Sequence, residues 1–176
     1  MAALDNQPTN RNLLSPTGFR FILSRTPNLN YFTYSVPIPT LSLGEYDQET
    51  PLVRLPYAGD KLRYEPLSLR FRVDEDLTNY LEIHNWLTSL GYPESFEQSA
   101  YRGPAGGGTA YRDGEVFSDG TLLIMSSNQN PNLQINFKRM FPIALTELNF
   151  DATLEDVPYL EATVTFRYYV YTIEKL

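Results

Sequence analysis

Two pairs of carboxylates stand at spacings that acid–base chemistry could use: Glu94 with Glu97, and Asp113 with Glu115. Such pairs can hydrolyse glycosides, one acid protonating the leaving group while the other works from the opposite face. Both pairs lie in an irregular stretch with no element to fix their separation, so they read as solvated loop acids. A third cluster, Asp74–Glu75–Asp76, directly precedes an amphipathic run. Carboxylates there accept the orphan N–H groups of a first helical turn and suit the positive end of its dipole. No glycine-containing loop or distal glutamate completes a calcium pattern, so helix capping is the reading. The chain's one histidine, His84, falls within the apolar arc of the same run and reads as a packed ring. Without cysteine there is no thiolate metal site, and with His84 read as packed in the helix stripe no Ser–His or Cys–His relay is assembled. Residues 102–108, Arg-Gly-Pro-Ala-Gly-Gly-Gly, lack the Gly-Lys-Ser/Thr ending of a phosphate cradle, since Thr109–Ala110–Tyr111 follows. The expectation is therefore no enzyme, no cofactor and no metal.

Composition narrows the class. A chain of 176 residues with 14% aromatics, 13 prolines and 10 glycines suits one strand-rich domain with many turns. The net charge of -7, from 14 basic and 21 acidic residues, argues against an electrostatic grip on nucleic acid. No run approaches the roughly 18 apolar residues of a membrane span, and the N-terminus carries no basic-then-apolar leader. A soluble chain made in the cytoplasm, with no membrane partner, is expected.

The periodicities supply the elements. Residues 1–18 read as a polar arm, with Leu13 and Leu14 its apolar contacts. The rest, 19–176, reads as one domain with long loops at 37–60 and 92–118. Phe19, Phe21 and Leu23 alternate as a strand, Asn28–Leu29–Asn30 reads as a turn, and Tyr31–Val36 as an aromatic strand stopped by Pro37 and Pro39. The loop that follows carries Leu41, Leu43, Leu52, Val53, Leu55 and Tyr57, more apolar side chains than a solvated loop needs, and Ala58–Gly59–Asp60 reads as its closing turn. Such a loop is explained by a surface that it covers. Leu67, Leu69, Phe71 and Val73 alternate as a half-buried strand, and a break at Glu65–Pro66 shifts the register before it. A helix over 77–90 is predicted, ended by Gly91 and Pro93. A hairpin over 121–139, a strand over 146–153 and one long strand over 159–173 complete the chain, with Phe141–Pro142 breaking the hairpin's second strand. The sum is a mainly β protein, an antiparallel sandwich or barrel of seven or eight strands with one flanking helix.

At this point the combination resembles a known family. Leu55–Pro56–Tyr57–Ala58–Gly59–Asp60–Lys61, then Tyr64–Glu65–Pro66–Leu67, then residues 71–77 leading into a helix with Trp86, is similar to the tail tube proteins of contractile-tailed bacteriophages. Residues 141–151 and Phe166–Arg167–Tyr168–Tyr169 match the closing strands of the same family, so the resemblance covers about 19 to 173. It implies the tail tube fold and a structural virion protein. It further implies a homo-hexameric ring, stacked rings forming the inner tube, a sheath protein outside, baseplate and tail-terminator proteins at the ends, and DNA in the lumen without base recognition. Six chains at -7 place about -42 on a ring, which lets a polyanion slide. The resemblance places Leu41, Leu43, Leu52, Val53, Leu55 and Tyr57 against the neighbouring ring or subunit, and the N-terminal arm at a similar contact. Expected first is the main tube subunit. The alternatives are a baseplate-end initiator or cap ring of the same fold, and, from a different class, a ligand-binding β module.

Overall fold

The computed structural model describes residues 11–91, 93–95, 97–98, 116–153 and 159–176. Nine strands and two helices lie wholly among these residues, in order: β1 (Phe19–Leu23), α1 (Pro27–Phe32), β2 (Thr33–Ser35), β3 (Leu41–Glu49), β4 (Arg54–Tyr64), β5 (Leu67–Arg72), α2 (Thr78–Gly91), β6 (Ser118–Met125), β7 (Pro131–Leu145), β8 (Glu161–Arg167) and β9 (Val170–Lys175). Hydrogen bonding joins the antiparallel strands in the order β1-β6-β7-β8-β5-β2, with β9 also on β7, while β3 and β4 pair only with each other. The result is mainly β, a nearly closed antiparallel barrel.

Strand β7 turns the barrel's corner. Its first half pairs with β6 on one side and β9 on the other, and its second half pairs with β8. At the corner Arg139 adopts a left-handed φ of 56° and its N–H is held by Asp119 Oδ1 at 2.9 Å. The register shifts between Ser118 and Gly120, the bulge that bends a strand from one sheet into the next. Gly120 leaves room there for the buried Met140 side chain, whose Sδ would lie 2.5 Å from an added Cβ and would have to move. Pro142 sits inside β7 rather than ending it. That half of the strand pairs only with β8, and an edge strand accepts proline.

The core follows the alternation. Phe21, Leu23, Leu67, Leu69, Phe71, Ala162, Val164 and Phe166 all point inward, as their spacing predicts. Helix α2 closes over them with Trp86, whose ring packs at 5.9 Å from Phe166 and whose Nε1 donates to Val116 O at 3.1 Å. His84 is exposed instead, which corrects the packed-ring expectation. The helix is rotated by its buried polar member: Asn79 donates to Arg72 O at 2.8 Å and exchanges bonds with Asp74, so Asn79, Ile83, Trp86 and Ser89 form the inward stripe. Asp74 is thereby the capping acid that the Asp74–Asp76 cluster suggested.

Three other expectations change. Residues 27–32 form a second helix, not a turn and strand, so two helices stand where one was expected. Residues 146–153 form no strand; Thr146 N donates to Thr163 O at 3.0 Å, and the ladder stops there. The long strand over 159–173 is β8 and β9, in one line opposite β7 but interrupted at Tyr168–Tyr169.

The short helix α1 has no side-chain cap of its own. Glu82 of α2 reaches its first turn, Oε1 accepting from Asn28 Nδ2 at 2.7 Å, while the buried Oε2 has no hydrogen-bond partner among the described residues. Burial outweighs that bond and pushes the Glu82 carboxyl above the ordinary carboxylate range. A raised carboxyl favours the protonated form in the fold, so its contribution is complete below the unfolded value and is lost as pH rises through the folded one. Glu82→Gln copies the protonated form. The variant is expected to be more stable than the parent at pH 7, with the gap closing toward about pH 4, as thermal melts across that range would show.

Candidate assembly surface: a projecting hairpin and its anchorage

The stretch expected to be an apolar loop is a β-ribbon. Strands β3 and β4 pair from Leu41↔Tyr64 at the base to Glu49↔Arg54 at the tip. They continue the β2–β5 ladder across two breaks, residues 36–40 and Glu65–Pro66, and Glu65 N bridges the gap to Thr40 O at 3.1 Å. At about 3.3 Å per residue, nine-residue β3 reaches roughly 30 Å. Every residue of β3 is exposed, and β3 and β4 belong to no other sheet.

The tip is closed by Thr50, whose Oγ1 donates to Val53 O at 2.6 Å and accepts from Val53 N, and by an Arg54–Glu49 pair at 3.5 Å. Ala58–Gly59–Asp60 is not a turn but a bulge within β4, where the register shifts opposite Gly44. A Cβ on Gly59 would lie 2.4 Å from Gly44 O, so the two backbones come this close only because residue 59 is glycine. By strand alternation Glu45, Asp47 and Glu49 lie on one side of the outer ribbon. Tyr46 and Gln48, with Tyr57 and Leu55 across the ladder, lie on the other, where the two tyrosine rings stack at 5.4 Å.

The expected contact residues are thus gathered on one element. Leu41, Leu43, Val53, Leu55 and Tyr57 are all exposed along the ribbon, and Leu52 is 97% exposed at its tip. Leu62 and Tyr46, which the loop reading did not select, are exposed beside them. Leu13 and Leu14 are exposed too, at the start of the described chain, away from the ribbon's pairing. A two-stranded ribbon is marginal in water by itself, and this one offers apolar side chains to solvent.

Its base is firm. Tyr64 packs edge-on against Tyr168 at 6.1 Å and Tyr171 at 5.4 Å, and Phe137 backs Tyr168 at 5.2 Å. Tyr168 Oη donates to Glu65 O at 2.7 Å, and Tyr171 Oη to Pro39 O at 3.5 Å, so the β8–β9 interruption grips both breaks of the ladder. Burial pushes the Tyr168 hydroxyl up to about 12, which keeps it a donor at any physiological pH. Alternation had placed Tyr168 inward but gave no sign of this bond. Tyr168→Phe is expected to cost about 1 kcal/mol in stability and to speed amide exchange at Glu65, as hydrogen exchange would report.

Among the described residues, the outer edges of β1, β2 and β9 have no strand partner. Leu23 turns its N–H and C=O away from β6, and the Asn30 side chain takes both, at 2.8 and 3.1 Å. Phe21, of the same parity, turns its backbone groups to the same open side, along a cleft bordered by Arg20, Ile22 and Tyr31. Strand β9 pairs with β7 alone, which leaves its far side open.

Nothing among the described residues assembles chemistry. No group of three metal-ligating side chains occurs there, and no helix there is long and apolar enough to cross a membrane. Glu94 and Glu97 are exposed. The Asp113–Glu115 pair and the glycine-rich 102–108 segment lie outside the described residues.

A nearly closed antiparallel barrel with a flanking helix and a projecting ribbon is the tail tube fold. The chain superposes end to end, 100% of each, on the tube-terminating cap of the anti-feeding prophage, with a TM-score of 0.61 at 13% identity. It matches a chain of the sheath-tube complex of an extracellular contractile injection system over 94% of each, also at 0.61 and 14% identity. In sequence it is 28% identical over 171 residues, 93% of this chain and 90% of the relative, to the tail tube terminator protein of Enterobacteria phage T4. No protein-family model matches. The chain thus shares the tail tube fold and is similar over nearly its full length to a phage tail tube terminator.

Proposed function

We propose that the chain is the subunit of a terminating ring, which closes the end of a contractile-tail tube. The observation that carries this reading is the near full-length relation to the phage T4 tail tube terminator, alongside the end-to-end superposition on a tube-terminating cap. The main tube subunit, expected first from the residues alone, becomes the second reading; the sheath-tube chain that superposes equally well favours it.

In the proposed ring, six copies close head to tail. The open edges of β1 and β9 are opposite ends of the run β1-β6-β7-β9, so joining them between neighbours repeats one heterologous contact. Such closure removes edges that would otherwise template aggregation. The ribbon, with Leu41, Leu43, Leu52, Val53, Leu55 and Tyr57, reaches the adjoining copy or ring, and the arm at Leu13 and Leu14 adds a second contact. DNA passes through an acidic bore without being read, and the sheath lies outside. The protein acts in the virion and catalyses nothing.

Quantitative mass spectrometry of purified particles separates the two readings. A terminating ring gives one ring's worth of copies per tail. Tens of rings per tail would make it the main tube subunit.

A further inference from the structure

Among the described residues, no element covers the outer face of β2, β5 and β8. Along β5 it exposes Ser68, Arg70 and Arg72, and along β8 Glu161 and Arg167, with Thr163 and Thr165 half-buried between them. Arg72 lies over two tyrosine rings, 5.9 Å from Tyr34 and 5.5 Å from Tyr159, and Tyr34 Oη donates to Glu161 Oε2 at 2.6 Å. Three arginines against one carboxylate make this face basic in a chain whose net charge is -7. Exposed tyrosine and arginine on a flat sheet are the residue types that carry binding energy at protein interfaces. At its Arg167 end the face runs into an open cleft of about 760 Å³ at the root of the ribbon, where Lys61 and Arg63 add two more cations and Glu45 one anion.

We infer that this arginine face seats the acidic side of the β3–β4 ribbon of another copy, Glu45 and Asp47 meeting Arg70 and Arg167. Within one molecule the ribbon prolongs the β2–β5 ladder outward from the sheet that bears the arginines, and the two approach only at the root cleft, where Glu45 and Arg167 line the same walls. Between copies they complement each other in sign and form: a narrow strand pair carrying Glu45, Asp47 and Glu49, and an open sheet lined with cations and hydroxyls. Glu49 is already paired with Arg54, which leaves Glu45 and Asp47 as the acids offered to the partner. The ribbon's other side, with Tyr46, Leu55 and Tyr57, stays available for an apolar contact, so the ribbon is wedged rather than merely laid down. Complementary charge of this kind sets register and excludes wrong partners more than it adds affinity. The inference rests on the proposal that the ribbon engages another copy.

The test uses the full chain and a reciprocal charge exchange, read by sedimentation velocity. One variant carries Glu45→Lys and Asp47→Lys, the other Arg70→Glu and Arg167→Glu, and circular dichroism checks that each is folded. Each alone is expected to need at least about tenfold more protein to assemble, and raising the salt should weaken wild-type assembly. An equimolar mixture restores assembly, because every lysine ribbon then meets a glutamate face and every acidic ribbon an arginine face. Either variant assembling like the wild type, or a mixture that stays dissociated, overturns the seat. A third variant with residues 46–57 replaced by a short turn separates this from the premise. If it too assembles normally, the ribbon engages no other copy; if it alone fails, the ribbon engages one but sits elsewhere.

Discussion

Leu52→Asp with Leu55→Asp leaves a folded monomer that no longer assembles. Both side chains are exposed, Leu52 at the tip and Leu55 on the tyrosine side of the ribbon, and neither belongs to the core. Surface substitutions of this kind change stability by about 0.5 kcal/mol or less. The melting curve should therefore overlay that of the parent. Assembly should be lost, because a carboxylate buried without a partner in an interface costs several kcal/mol, and two of them recur at every contact. Wholesale unfolding would show instead that these leucines serve the chain's own core.

The largest effect on stability is expected from Trp86→Ala. The ring is 1% exposed, packs tilted against Phe166, lies under the Arg25 guanidinium at 4.8 Å and donates its Nε1–H to Val116 O. Truncating a buried tryptophan costs about 3–5 kcal/mol through lost transfer energy and the cavity left behind. For a domain of this size that is a fall in melting temperature on the order of 10 °C. Val116 O would lose its partner as well, and its strand β6 begins only two residues later. A loss below about 1 kcal/mol would mean that α2 is not the lid of the barrel. His84→Ala, two residues away but exposed, serves as the matched control and should be nearly silent.

That contrast shows where the amino-acid pattern was readable and where it was not. The β5 alternation was legible because Leu67, Leu69 and Phe71 meet one face and Ser68, Arg70 and Arg72 the other, with no exception. The limits of α2 were legible from its acids and from Gly91. Its rotation was not: nothing in the apolar spacing marks Asn79 as inward, whereas the fold buries it to tie Arg72 O and Asp74. One buried amide turned the stripe so that Trp86 entered and His84 left.

The ribbon was hidden for a different reason. Pro37, Pro39, Pro51 and Pro56 and the Ala58–Gly59–Asp60 tripeptide read as breaks, and in a wide sheet they would be. In a two-stranded ribbon both strands are edges, so Pro56 opposite Asp47 is tolerated and Gly59 makes a bulge rather than a turn. The apolar content of the stretch did announce a covered surface. Its secondary structure could not be read from it, because the breaks and the exposed leucines both answer to something beyond the single chain. The Glu82 bond to α1 was equally invisible, since it joins residues 54 apart in sequence through a turn of helix too short to show a period.

The central claim is that identical copies complete this polypeptide and that the ring so formed ends a tube. Negative-stain electron microscopy of the purified full-length protein, with sedimentation over a wide concentration range, tests it most directly. The account predicts closed rings of uniform size with a central opening, at most paired face to face. Long tubes would contradict the terminating role, and a compact solitary particle at every concentration would contradict the claim itself.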